Sequence, residues 1–136
     1  MNISVAAKQA GLTAKTLRYY DTIGLVSPYQ NPRTGYRDYA EADIAKLQFV
    51  GTARRFNFSI EECRELLSLY EDKNRPSEAV KALTLQKIAE IEDRLAELGA
   101  LRDQLAHLAR SCHGDSRADC PILDAFSTPD GPSRSL

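Results

Sequence analysis

Cys112 and Cys120 stand eight positions apart in the stretch Ser-Cys-His-Gly-Asp-Ser-Arg-Ala-Asp-Cys-Pro, just beyond a long helical pattern. Thiolate is a soft ligand that selects Cu(I)-type ions, and two thiolates with no obvious third ligand suit a monovalent ion of low coordination number. A structural zinc site takes four ligands, often from paired Cys-x-x-Cys spacings, and this chain has no such spacing. Two cysteines alone specify little; their meaning depends on the rest of the chain. Cys63 falls on the apolar stripe of a predicted helix, where a thiol packs as a small hydrophobe. His113 adjoins Cys112, but sequence neighbours rarely point at one ion. His107 reads as an exposed helical residue, so neither histidine is counted as a ligand.

The chain has 136 residues, 43% of them hydrophobic and 27% charged, which fits one soluble domain or a small domain with an appendage. No apolar run approaches a membrane span, and the N-terminus lacks the basic-then-apolar form of a signal peptide. The expectation is a cytoplasmic protein without a membrane partner. Thiols stay reduced there, which sets aside a Cys112–Cys120 disulfide. The net charge of −1 hides an asymmetry: residues 1–58 hold eight Lys/Arg against four Asp/Glu, residues 59–110 eight against eleven, and residues 111–136 two against four. A polyanion responds to a local basic face, so the N-terminal block is the candidate nucleic-acid surface.

The elements that must position these groups follow from periodicity and caps. Ile3, Ala6, Ala7 and Ala10 share one face of a short helix. Gly11 breaks it, and Thr13 caps a second helix from about Ala14 to Thr22. Turn chemistry at Asn31-Pro32 and Thr34-Gly35 predicts a hairpin with strands near 26–29 and 36–39. Helical spacing returns from Glu41 to about Arg55. Ser59 with Glu62 forms a capping box for another helix with the stripe Ile60, Cys63, Leu66, Leu67 and Tyr70. From Pro76-Ser77 to about Arg110, Ile88, Ile91, Leu95, Leu98 and Leu105 follow a three-four spacing interrupted only by Arg102, as in a coiled-coil seam. A helix of roughly 33 residues is about 50 Å long, too long to bury its seam on so small a domain, so a partner chain is implied.

A helix-turn-helix needs a small residue where its helices touch, glycine in the turn and an aliphatic residue seating the second helix. Ala7, Gly11 and Leu17 supply them. The second helix then projects Lys15, Thr16, Arg18 and Tyr19 toward phosphate or base edges. Arg33, Tyr36 and Arg37, at or near the hairpin tip, suit a wing that lies along the DNA backbone. Tyr20 reads as core rather than contact. Tyr19, Tyr36 and Tyr39 are open between the wing's packing and DNA. Arg54, beside Arg55 at the third helix's end, is open between a cap interaction and a phosphate contact.

The runs Leu17-Arg18-Tyr19-Tyr20-Asp21, Ile23-Gly24-Leu25-Val26 and Gly35-Tyr36-Arg37-Asp38-Tyr39 resemble the signature of the MerR family of transcription regulators. The long seam, the Cys112/Cys120 loop and the trailing Cys-Pro-Ile-Leu resemble its copper-efflux regulator branch, over residues 1 to about 126. The resemblance implies a mainly α protein: a winged helix-turn-helix DNA-binding domain with a small β-hairpin wing over residues 1–70, a long antiparallel coiled-coil dimerisation helix over 77–110, and a C-terminal metal-binding loop with a short helix over 111–126. Residues 127–136, rich in Ser, Pro and Gly, read as a disordered tail. The implied DNA contacts are Lys15, Thr16, Arg18, Tyr19, Arg33, Tyr36, Arg37 and Arg54.

In this family the divalent sensors carry a cysteine where the dimerisation helix begins, and the copper, silver and gold sensors carry serine. This chain has Ser77 there, which also serves as a helix cap. The implied ligands are Cys112 and Cys120, holding Cu(I), with Ag(I) or Au(I) as further candidates. Two thiolates and one M⁺ sum to −1, and the partner's helix N-terminus near Ser77, with Lys81 one turn inside, would offset that charge. The implied function is a homodimeric activator of metal-efflux promoters. It distorts double-stranded promoter DNA so that RNA polymerase engages both promoter elements. The segment 121–126, with Ile122, Leu123 and Phe126 on one side, is the candidate packed element that carries the change. A family member answering to another metal or a small molecule is the alternative. A copper chaperone would not need the winged helix-turn-helix, and a thiol-redox enzyme would want a reactive Cys-x-x-Cys, so no enzyme is expected.

Overall fold

The computed structural model describes residues 1–115 and 118–127. Six helices and one two-stranded hairpin follow in order: α1 (Ile3–Ala10), α2 (Ala14–Thr22), β1 (Tyr29–Gln30), β2 (Arg37–Asp38), α3 (Glu41–Arg55), α4 (Ile60–Glu71), α5 (Ser77–Ser111) and α6 (Pro121–Ser127). The chain forms two units, Met1–Leu83 and Thr84–Leu136, so the first takes in the opening turns of α5. No helix among the described residues is long and apolar enough to cross a membrane.

The first unit is built where the caps direct. Asn2 accepts from the Val5 amide at 2.9 Å to open α1. Gly11 ends it at φ +72°, a left-handed value that glycine adopts without strain, while the Leu12 amide returns to the Ala7 carbonyl at 3.0 Å. Thr13 then accepts from the Thr16 amide at 3.1 Å to open α2. The α1–α2 corner is sealed by Ala7 and Leu17, both buried. The capping box of α4 is complete, with Glu62 N donating to Ser59 Oγ at 3.1 Å and Ser59 N to Glu62 Oε1 at 2.8 Å. At α3 only half of such a box exists. Asp43 accepts from the Ala40 amide at 2.8 Å, and alanine has no oxygen to return the bond.

One core holds this unit together. Ala6 and Ala7 of α1, Leu17 and Tyr20 of α2, Ile44, Leu47, Val50 and Ala53 of α3 and Cys63 and Leu67 of α4 are all buried in it, with Leu25, Val26, Tyr39 and Phe58 from the connections. Deleting a side chain such as Leu17 or Leu47 costs about 2–5 kcal/mol by lost burial and the cavity left behind.

The hairpin is shorter than its expected strands of 26–29 and 36–39, and it pairs Tyr29 with Asp38 and Gln30 with Arg37. Three local reasons account for this. Val26 is a core residue whose amide bonds to the Tyr20 carbonyl. Pro28 has no N–H to give a ladder. Tyr39 turns inward, and its amide bonds to the Met1 carbonyl. The tip is an Asx turn in which Asn31 Oδ1 accepts from the Arg33 amide at 2.8 Å, with Gly35 at φ +73°.

In the second unit α5 continues to Ser111, and α6, seven residues long, follows the cysteine loop. On α5 the expected seam is laid bare: Ile88, Ile91, Leu95, Leu98 and Leu105 are 36% to 64% exposed. Lys87, on the same helix, is buried and ion-paired with Glu90 at 2.6 Å. The helix α6 ends at Ser127, one residue into the expected tail, and the remainder of that tail lies outside the described residues.

Candidate functional site

Two groups of residues carry chemistry, one in each unit. In the first, α2 and the hairpin present the residues expected to meet DNA. Lys15, Arg18 and Tyr19 are exposed on α2, and Thr16 is half-buried with its hydroxyl 2.8 Å from that of Thr13. Tyr20 lies on the opposite side, buried, as expected of a core residue. On the wing Arg33 is exposed in the Asn31 turn, and Tyr36 is 77% exposed just before β2. Tyr39, one of the three tyrosines left open, is core.

Arg37 is placed differently from the other basic residues. Its Nε donates to Asp21 Oδ2 at 2.6 Å, so the wing is tied to the last turn of α2. Asp21 and this pairing were missed in the sequence, since nothing local marks a contact across sixteen positions. Arg54 Nη1 donates to the Phe58 carbonyl at 2.7 Å, bridging the α3–α4 turn in which Asn57 sits at φ +71°. Arg64 was also missed. From α4 its two terminal nitrogens reach the carbonyls of Gly24 at 3.1 Å and Ile23 at 2.9 Å, at the C-cap of α2 and the residue after it.

Burial pushes the Tyr20 and Tyr39 hydroxyls above the ordinary phenol value. At Tyr39 the negative charge of Asp21 raises it further, and Arg37 opposes. The Tyr39 hydroxyl is buried with no hydrogen-bond partner among the described residues.

In the second unit the cysteine pair comes together. Cys112 follows the last turn of α5, its amide still bonded to the Leu108 carbonyl at 3.1 Å. Gly114 sits at φ +66°, and Cys120 immediately precedes α6, its carbonyl accepting from the Asp124 amide at 3.1 Å. The two sulfurs lie 4.0 Å apart, both half-buried and unbridged. That is twice a disulfide bond of about 2.0 Å. It is within the span of two metal–sulfur bonds of about 2.3 Å each, close enough for both sulfurs to reach one ion. Among the described residues no third His, Cys, Asp or Glu joins them as a metal-binding group. His113 is exposed. Ser77 and Lys81 stand exposed in the opening turns of α5, within the first unit. On α6 Leu123 and Phe126 are exposed and Ile122 is half-buried.

Comparison with known proteins places this geometry in a family. The MerR HTH family regulatory protein domain matches residues 1–69, and the domain described as MerR, DNA binding matches residues 44–108. The HTH-type transcriptional regulator HmrR of Rhizobium leguminosarum bv. viciae is 49% identical over 93% of this chain and 98% of its own length. The HTH-type transcriptional regulator CueR of Salmonella typhimurium is 48% identical over 93% of this chain and 92% of its own. Among solved structures, the transcription regulator PbrR691 from Ralstonia metallidurans CH34 in complex with lead(II) aligns with a TM-score of 0.80 at 29% identity, covering 93% of this chain and 99% of that one. Two family domains that together span residues 1–108, and relatives nearly half identical over almost the whole chain, settle the assignment: the chain belongs to the MerR family of transcription regulators.

Proposed function

We propose that the chain is a homodimeric regulator of promoter DNA that responds to a soft monovalent metal ion, Cu(I) first and Ag(I) or Au(I) by the same chemistry. The observation that carries this reading is the cysteine pair: two half-buried sulfurs 4.0 Å apart at the junction of α5 and α6. Such a donor set matches a soft ion of low coordination number. The serine at position 77 and the likeness to CueR support the monovalent choice.

Cys112 and Cys120 would hold the ion, which when bound joins the last turn of α5 to the first turn of α6. Ser77 and Lys81 of the partner's α5 would supply the positive potential that a buried net charge of −1 requires. The exposed faces of α6 (Leu123, Phe126) and of the α5 seam are apolar surfaces that a second chain would cover. Lys15, Thr16, Arg18, Tyr19, Arg33, Tyr36 and Arg37 form the DNA-reading face, while Arg54 shares its guanidinium with the Phe58 carbonyl. Two reading heads fixed at one separation can bend and undertwist a promoter between them, which lets RNA polymerase engage both promoter elements.

The lead(II) complex of PbrR691 favours a second reading, a sensor of a divalent ion. Promoter output in a reporter strain, with copper, silver, gold, zinc and lead added separately, tells them apart. The expected outcome is activation by the monovalent ions and loss of that activation in Cys112→Ala and Cys120→Ala, with DNA affinity within about threefold of wild type because the thiols lie outside the reading head. Full copper activation in either variant, or a response to lead or zinc alone, would reject the monovalent two-thiolate site.

A further inference from the structure

We propose that Asp21 is a positioning residue for DNA reading: its carboxylate fixes the wing arginine Arg37 relative to the recognition helix α2, and so sharpens discrimination between the operator and other DNA. The proposal rests on the assignment of Arg37 to the DNA-reading face. Arg37 Nε meets Asp21 Oδ2 at 2.6 Å, with the two side chains only 29% and 19% exposed. Beyond its pairing with Gln30, Arg37 is tied by this contact to the helix that precedes the wing.

Asp21 sits where a carboxylate is locally unfavourable. It lies in the last turn of α2, and the C-terminal end of a helix dipole repels an anion. No basic residue of α2 occupies that turn to offset it. Arg64 of α4 reaches the carbonyls just beyond that turn, but the cation that meets the Asp21 carboxylate itself comes from the wing. Tyr39 is packed close enough to feel the charges of Asp21, Arg37 and Arg18, yet its own hydroxyl makes no hydrogen bond among the described residues. The ion pair is thus a charged tie between helix and wing, beside the buried ring of Tyr39.

Two consequences for DNA follow from guanidinium geometry. Its donors lie in one rigid plane, so holding Nε inward fixes the direction in which the remaining N–H groups point. That helps only on a duplex where α2 and the wing are seated together. The carboxylate also cancels the charge of Arg37 toward arbitrary polyanions, which lowers sequence-independent attraction. Asp21 therefore acts on the ratio of specific to non-specific binding.

The test uses the full chain, a duplex that the wild type selects from random-sequence DNA, and a scrambled duplex of the same length, titrated by fluorescence anisotropy at two salt concentrations. Asp21→Asn is expected to lower the selected-to-scrambled affinity ratio by about tenfold while scrambled-duplex affinity holds or rises. Asp21→Glu, which keeps the charge, is expected to restore most of the ratio. In an Arg37→Gln background Asp21→Asn should change the ratio no further. Equal losses on both duplexes together with a lowered unfolding midpoint, or an undiminished effect in the Arg37→Gln background, would overturn the role of Asp21 while leaving the DNA-reading assignment standing. A wild type that selects no sequence at all would remove both.

Discussion

Tyr39 brings a hydroxyl into the core of the first unit without a hydrogen-bond partner among the described residues. Leaving such a group unsatisfied costs about 1–3 kcal/mol, so Tyr39→Phe is expected to raise stability by about 1 kcal/mol in urea unfolding. The pH dependence has a definite sign. Burial, and then the charge of Asp21, raises the folded-state pKa of Tyr39, so the folded chain holds this proton more tightly than the unfolded chain. Its contribution is complete below the unfolded phenol value of about 10 and is lost as pH climbs from there through the folded value. Tyr20 behaves alike through burial, so Tyr39→Phe should flatten alkaline destabilisation without removing it. An unchanged alkaline slope would mean that Tyr39 does not feel its burial. At this scale the pairing of Cys112 with Cys120 was legible because both lie in one loop, and their sulfurs come within 4.0 Å. Asp21 and Arg64 were not, because a carboxylate or guanidinium takes its meaning from a partner that only the fold supplies.

Helices were legible where a cap and a period coincide. Thr13 and Ser59 marked the starts of α2 and α4, and both accept the expected backbone bond. The strands were less so, because turn chemistry marks the hairpin tip but not the strand ends, and Val26 and Tyr39 there serve the core of the first unit and not the ladder. What no period announces is how α2 is held at its far end. Arg64 donates from α4 to the Ile23 and Gly24 carbonyls at 2.9 and 3.1 Å, and its Nε stands 3.6 Å from Glu61. A charged donor at a helix C-terminus satisfies carbonyls there and answers the helix dipole. Arg64→Met keeps much of the packing and removes the fork, and is expected to lower stability by about 1–2 kcal/mol. Arg64→Lys should recover only part of that, since an ammonium cannot span two carbonyls in one plane. Urea midpoints of the three chains measure this, and equal midpoints would mean that α2 holds its place without α4.

Whole-molecule behaviour turns on the bare seam of α5. Ile88, Ile91, Leu95, Leu98 and Leu105 repeat at three-four spacing, all substantially exposed, while Arg102 breaks the run and pairs with its neighbour Asp103 at 3.0 Å. A stripe of this kind is stable in water only against another helix, and a single polar residue within it sets register at some cost in stability. In the proposed dimer the stripe both buries itself and fixes the spacing of two reading heads. Leu95→Asp would place a carboxylate in that interface, where burying an unpaired charge is strongly unfavourable. Sedimentation is expected to show a monomer at concentrations where the wild type is dimeric. The selected duplex should lose about a hundredfold in affinity as the two heads no longer bind as one, whereas binding of a single head to unrelated DNA should change little. Leu95→Ala, which removes apolar area without adding charge, should fall between the two. A Leu95→Asp chain that remained dimeric would show that the seam is not the interface. One that became monomeric yet kept its operator affinity would separate dimerisation from DNA reading and remove the stalk from the mechanism.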